Sequence, residues 1–150
     1  MKVQLNVQNV STSGHVPETV QLLQWAEAAL SEIDENTVEL GVRIVDENES
    51  AELNSRYRKK QGPTNVLSFS YEDPPGASSN ILGDLVICAP IVQDEAREQN
   101  KNPDAHWAHM VVHGIMHLRG YDHEQDDDAE IMQNKEAQLL KTLGYPNPYV

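Results

Sequence analysis

HWAHMVVHGIMHLRGYDH, residues 106–123, decides how the rest of the chain is read. Successive residues of an α-helix turn by about 100° and rise about 1.5 Å. On that wheel His106, His109, His113 and His117 fall within an arc of roughly 80°. Val111, Val112, Ile115 and Leu118 take the opposite side. The stretch predicts a helix with one apolar side and a histidine stripe on the other. A buried helix whose polar stripe merely happens to be histidine is the plainer alternative, and four histidines on one stripe argue against it.

The spacing narrows which histidines can share an ion. His109 and His117 are about 12 Å apart along the axis, too far for one ion bound at about 2 Å from each nitrogen. His109 with His113, and His113 with His117, both qualify at spacing four. Gly120 decides between them. It follows His117 by three residues, where a residue free to take positive φ can end the helix and reverse the chain. That reversal lets His123 return to the face of His113 and His117. Three neutral imidazoles with a fourth position open to water is the arrangement of a catalytic zinc site. One zinc ion on His113, His117 and His123 is therefore expected, although nickel, cobalt and copper also suit imidazole. Asp122 is a candidate to accept the second ring N–H of a ligand, or else a solvated acid.

Outward from the helix, the pattern is strands early and helices late. Val3–Val7 alternates at period two, and Pro17 precedes the helix-like ETVQLLQWAEAALSEI. Thr37–Val45 reads as a second strand, DENESAELNSRYR as a short helix with acids in its first turn, and Val66–Ser70 and Leu82–Cys88 as strands three and four around the turn-rich EDPPGASSN. From Pro90 onward IVQDEAREQN, the histidine helix and DDDAEIMQNKEAQLLKTLG are helical, the last opening on Asp126–Asp128 and stopping at Gly144 and Pro146. No repeat or linker interrupts this order. The expected fold class is α+β, a small, mostly mixed four-stranded sheet packed with about five helices, as a single domain over 1–150.

Composition sets the outer limits. A chain of 150 residues with 39% hydrophobic content can bury its own core, and no apolar run approaches the ~20 residues of a membrane span. MKVQLNVQNV alternates instead of forming a signal-peptide block, and the single Cys88 suits a reducing cytoplasm. A net charge of −13 argues against broad adhesion to nucleic acid, which depends on Lys and Arg. Arg56, Arg58, Lys59 and Lys60 form a local exception. By charge alone they read as cations at a helix C-terminus.

The histidine spacing matches the zinc-peptidase signature H-E-x-x-H-x-x-G-x-x-H, but Gly114 stands where those enzymes carry their general-base glutamate. Metal-assisted hydrolysis survives this difference, since Zn²⁺ alone lowers the pKa of bound water to about 7. Ordinary peptide cleavage is disfavoured.

HGIMHLRGYDH, with LNSRYRKKQGPTNVLSF at 53–69, LGDLVIC at 82–88 and AHWAHMVVH at 105–113, resembles the YbeY family of bacterial endoribonucleases acting in ribosomal RNA maturation. The similarity runs from about Val38 to Tyr149, and the first 35 residues match only in general pattern. The resemblance implies a zinc-dependent, single-strand-specific endoribonuclease of 16S 3′-end maturation and ribosome quality control, working by metal-activated hydrolysis or transesterification. It gives His113, His117 and His123 as zinc ligands and Arg58 as the functional basic residue. It also revises the basic cluster: an arginine donates in fork geometry to the charge that builds on phosphorus, with Lys59 as a neighbouring RNA contact. The implied partners are single-stranded or ribosomal RNA and small-subunit ribosomal proteins or an assembly GTPase, with no membrane and no DNA. Two other readings stand beside it: an assembly factor with a structural zinc, and a metallopeptidase.

Overall fold

A computed structural model describes residues 2–33, 36–121 and 125–150. Four strands, β1 (Lys2–Asn9), β2 (Thr37–Val45), β3 (Val66–Ser70) and β4 (Ile81–Cys88), form one sheet in the order β1-β2-β4-β3. β1 and β4 pair with β2 in parallel and β3 with β4 antiparallel. Five helices complete the described residues: α1 (Thr19–Leu30), α2 (Glu47–Arg58), α3 (Ala89–Glu98), α4 (Pro103–Leu118) and α5 (Asp126–Thr142). The mixed sheet and the helix count agree with the sequence reading.

The strand alternation explains the layering. Val38, Leu40, Val42 and Ile44 of β2 point to one face, where they join Leu85 and Ile87 of β4 under Trp25 of α1 and Trp107 and Ile115 of α4. A smaller apolar cluster of Val45, Leu67, Val86 and Cys88 fills the other face against Leu53 of α2. Cys88 is fully buried, as its place in an apolar strand implies. No helix among the described residues is long and apolar enough to cross a membrane.

α4 is the hub. It packs on α1, α3, α5, β3 and β4, so nearly its whole circumference is covered. The histidine stripe therefore does not face solvent as a unit, which the wheel alone could not show. The helix starts on Asn102, whose side chain accepts from Asp104 N at 2.8 Å, with Pro103 behind it. It ends as Gly120 requires. With φ at 95°, Gly120 donates to His117 O at 3.0 Å and Tyr121 donates to Met116 O at 3.0 Å, a Schellman turn.

Candidate metal centre and its cleft

Burial by neighbouring elements divides the histidine stripe into two pairs. His106, only 3% exposed, lies with Nε2 2.9 Å from Glu95 Oε1 on α3. His109 is buried too, with Nε2 3.1 Å from the Tyr149 hydroxyl and 3.8 Å from Glu136 Oε2. One turn further on, His113 and His117 are half-buried and line an open cleft. Their Nε2 atoms are 3.2 Å apart. On its other edge His113 Nδ1 is 2.5 Å from Glu136 Oε1. An ionised carboxylate only accepts, so Nδ1 donates and the lone pair of a neutral His113 sits on Nε2, toward His117.

Glu136 is 0% exposed, in the middle of α5. Burial pushes its carboxyl up, but hydrogen bonds from His109, His113 and Tyr149 outweigh burial and hold it at about 2. The Tyr149 hydroxyl donates to Glu136 Oε2. Burial and that carboxylate together push the Tyr149 phenol far above its usual range. Burial lowers His109 against the pull of Glu136. The carboxylate is thus charged, enclosed and saturated with donors.

Two arrangements of these donors suit a metal. His109, His113 and Glu136 each bring one ligand atom within 4.8 Å of the others, so the group could hold a metal ion. Geometry tests where an ion fits better. Two nitrogens each about 2.0–2.1 Å from a tetrahedral zinc stand about 3.3–3.4 Å apart; the His113 and His117 Nε2 atoms stand 3.2 Å apart. A pair at the 2.5 Å separation of His113 Nδ1 and Glu136 Oε1 would subtend only about 75° at such an ion, far from tetrahedral. Glu136 therefore fits better as the carboxylate behind a histidine ligand, fixing its tautomer and ring orientation. His123 and Asp122, the expected third ligand and its neighbour, lie outside the described residues.

The cleft beside His113 and His117 has a volume of about 460 Å³ and is lined also by Asn54, Arg58, Lys60, Asn65 and Ser68. Arg58 sits in the last turn of α2. Its Nη2 donates to Ser68 O at 2.5 Å, and its guanidinium lies 5.7 Å from the centre of the Phe69 ring. Asn54 Nδ2 donates to Gly62 O and Ser50 Oγ to Thr64 O, both at 2.9 Å, which pins the loop between α2 and β3. Lys59 does not line the cleft. It caps α2 in the left-handed region at φ 57°, and its ammonium donates to Arg56 O at 3.3 Å. That reversal brings Lys60 to the wall instead.

Gly114 has a structural reason that spacing did not reveal. It packs against the sheet, where a Cβ would stand 2.7 Å from Leu85 Cδ2 and 3.3 Å from Ser68 Oγ. Ser68 Oγ also donates to Gly114 O at 3.0 Å. A glutamate here would have to push aside the buried Leu85 side chain and crowd Ser68 Oγ, so a peptidase-type base fits poorly at this position.

Glu136 and Tyr149 escaped the sequence reading. Glu136 had one signal: it occupies a core position of α5, in line with Met132, Leu139 and Leu140. A carboxylate on an apolar stripe calls for a buried partner. Tyr149 gave none.

The family model described as "Endoribonuclease YbeY" matches residues 6–144. That stretch starts well before Val38, so the likeness includes the second half of β1 and all of α1. A protein of Methylococcus capsulatus named "Endoribonuclease YbeY" is 54% identical over 147 residues, covering 98% of this chain and 95% of the relative. A solution structure of a Thermotoga maritima protein superposes with a TM-score of 0.59 at 29% identity, over 93% of this chain and 87% of the other. With a match over most of its length and a full-length relative at that identity, the chain belongs to the endoribonuclease YbeY family.

Proposed function

We propose that this single-domain protein cuts single-stranded RNA in the cleft between α4 and α2, as a zinc-dependent endoribonuclease of ribosomal RNA maturation. Family membership makes it a nuclease of the hydrolase class with RNA as substrate. The observation that carries the finer reading is one cleft lined by His113, His117 and Arg58. Groups suited to a metal and a group suited to a phosphate face the same space.

His113, His117 and His123 are the proposed zinc ligands, with Asp122 beside the third. A zinc ion held by these residues would supply Lewis-acid stabilisation to the phosphoryl group. The chain's own residues supply the rest. Glu136 keeps the Nδ1 proton of His113 in place. Arg58, steadied by Ser68 O and the Phe69 ring, offers the remainder of its five-donor fork to the charge that grows on the scissile phosphate. Lys60 on the cleft wall and Lys59 next to it attract the backbone of the RNA. Processing of the 16S 3′ end, ribosome quality control, a cytoplasmic location and contacts with small-subunit proteins or an assembly GTPase belong to this proposal as the family's setting.

The experiment is cleavage of a single-stranded RNA by protein carrying one equivalent of zinc, beside His117→Ala and Arg58→Ala. Loss of the arginine clamp is expected to lower kcat by about 10²-fold. Undiminished cleavage by both variants would reject the reading.

A further inference from the structure

Residues after α5 turn back onto the metal helix. Gly144, at φ 91°, and Tyr145, whose N donates to Leu140 O at 2.9 Å, reverse the chain. The Tyr145 ring then meets Trp25 edge-on at 6.4 Å, and Tyr149 N donates to Asn147 Oδ1 at 2.9 Å. This path delivers one hydroxyl to the buried Glu136. The Tyr149 oxygen donates its proton to Glu136 Oε2, so it can only accept from His109 Nε2, 3.1 Å away. Its ring stands edge-on to His109 at 5.4 Å. The chain of atoms from the cleft inward is therefore His117, His113, Glu136, Tyr149 and His109.

Glu136 has two oxygens and two tasks. Oε1 accepts from the His113 Nδ1–H, and Oε2 accepts from Tyr149. Without the Tyr149 hydroxyl, Oε2 would lose its nearest donor and keep only His109 Nε2, 3.8 Å away, and the carboxylate would be freer to rotate away from His113.

We propose that Glu136 and Tyr149 form a positioning pair that holds His113 as an Nε2 metal ligand, so that docking of residues 144–150 and metal binding stabilise each other. The inference rests on the reading of His113 and His117 as ligands. Coupling of this kind is reciprocal: whatever the docked segment adds to metal affinity, the metal adds to docking. Tyr149 acts through Glu136, so its effect has no independent route to the ion.

The test uses the full chain and zinc, with affinity measured by competition against a chromophoric chelator. Glu136→Gln is expected to weaken zinc binding by about 10-fold or more, the range seen when a carboxylate behind a histidine ligand is lost. Tyr149→Phe is expected to weaken it less, by several-fold. The double variant is expected to match Glu136→Gln alone, because both changes act at one point. Nitrogen-15 NMR of the metal-free protein should report His113 as the Nδ1–H tautomer, and a mixed population in Tyr149→Phe. Zinc affinity unchanged in Tyr149→Phe, or losses that add in the double variant, would overturn the proposal. Tyr149→Phe keeps the ring in place and decides the matter if Glu136→Gln fails to fold. RNA assays stay separate: zinc binding that depends on Tyr149 in a wild type unable to cut RNA sinks the nuclease reading alone. RNA cleavage with Tyr149-independent zinc binding sinks only this one.

Discussion

A methyl group at position 114 tests how tightly α4 sits on the sheet. Gly114→Ala gains about 1 kcal/mol of helix propensity but overpacks Leu85, at about 1–3 kcal/mol. The expected outcome is a net loss of stability, read as a lower urea midpoint. Glu95 offers a second test at this scale. Burial raises its carboxyl, but hydrogen bonds from His106 and Asn65 outweigh burial and hold it below the usual glutamate range. A carboxyl depressed in the folded state stabilises the fold fully above its unfolded value of about 4.3, and that stabilisation is lost as pH falls through the lower folded value. Urea unfolding between pH 5 and the acid limit should therefore show a shallower decline for Glu95→Gln than for wild type. Equal slopes would remove Glu95 from the acid response. Residues of this kind differ in legibility. His113 and His117 were readable because both partners lie on one turn pair, where 100° per residue fixes their relation. Glu136 was one acid among 24, and its partner stands 23 residues away. No periodicity reports a contact between helices.

At the scale of elements, the C-terminus of α4 and that of α2 both rely on a left-handed residue, one suited to it and one not. Gly120 occupies φ 95° at no steric cost, whereas Lys59 holds φ 57° with a side chain. The left-handed region costs a residue with a Cβ about 1–2 kcal/mol. Gly120→Ala should lose about that much and, on the proposed ligand set, weaken zinc binding, because Gly120 precedes the proposed ligand His123 in the chain by three residues. Lys59→Gly should gain up to about 1 kcal/mol by relieving the same strain. Measured with RNA, Lys59→Gly also isolates the charge: unchanged affinity would assign the backbone contact to Lys60. The helices and strands themselves were legible from alternation, 3.6-residue spacing and the glycines that stop α4 and α5. The strand order β1-β2-β4-β3 was not, since it depends on which strand α2 and β3 leave free beside β2.

The whole molecule carries −13 of net charge, yet its cleft wall presents Arg58 and Lys60. Two phosphate contacts on a single strand give a slope of log affinity against log salt of about −1.4. A much steeper slope would mean that RNA tracks over cations outside the cleft. Metal should matter differently for activity and fold. Trp107, Ile115 and the β2 face form a buried apolar core, whereas the proposed ligands His113 and His117 are half-buried at the cleft. Chelation is therefore expected to abolish cleavage and leave the circular dichroism spectrum folded, with zinc at about 100 times its Kd adding about 2.7 kcal/mol. Melting of the whole protein on chelation would favour a structural metal instead.

β3 has one neighbour in the sheet, so its outer rim of backbone groups is the kind of surface on which two molecules can join strand to strand. Arg58 covers part of that rim by taking the Ser68 carbonyl. The guanidinium proposed to meet a phosphate thus already occupies one carbonyl of that edge. Arg58→Ala should accordingly form dimers or larger species at concentrations where wild type is monodisperse in light scattering, and its lost cleavage should be compared only between monomer fractions.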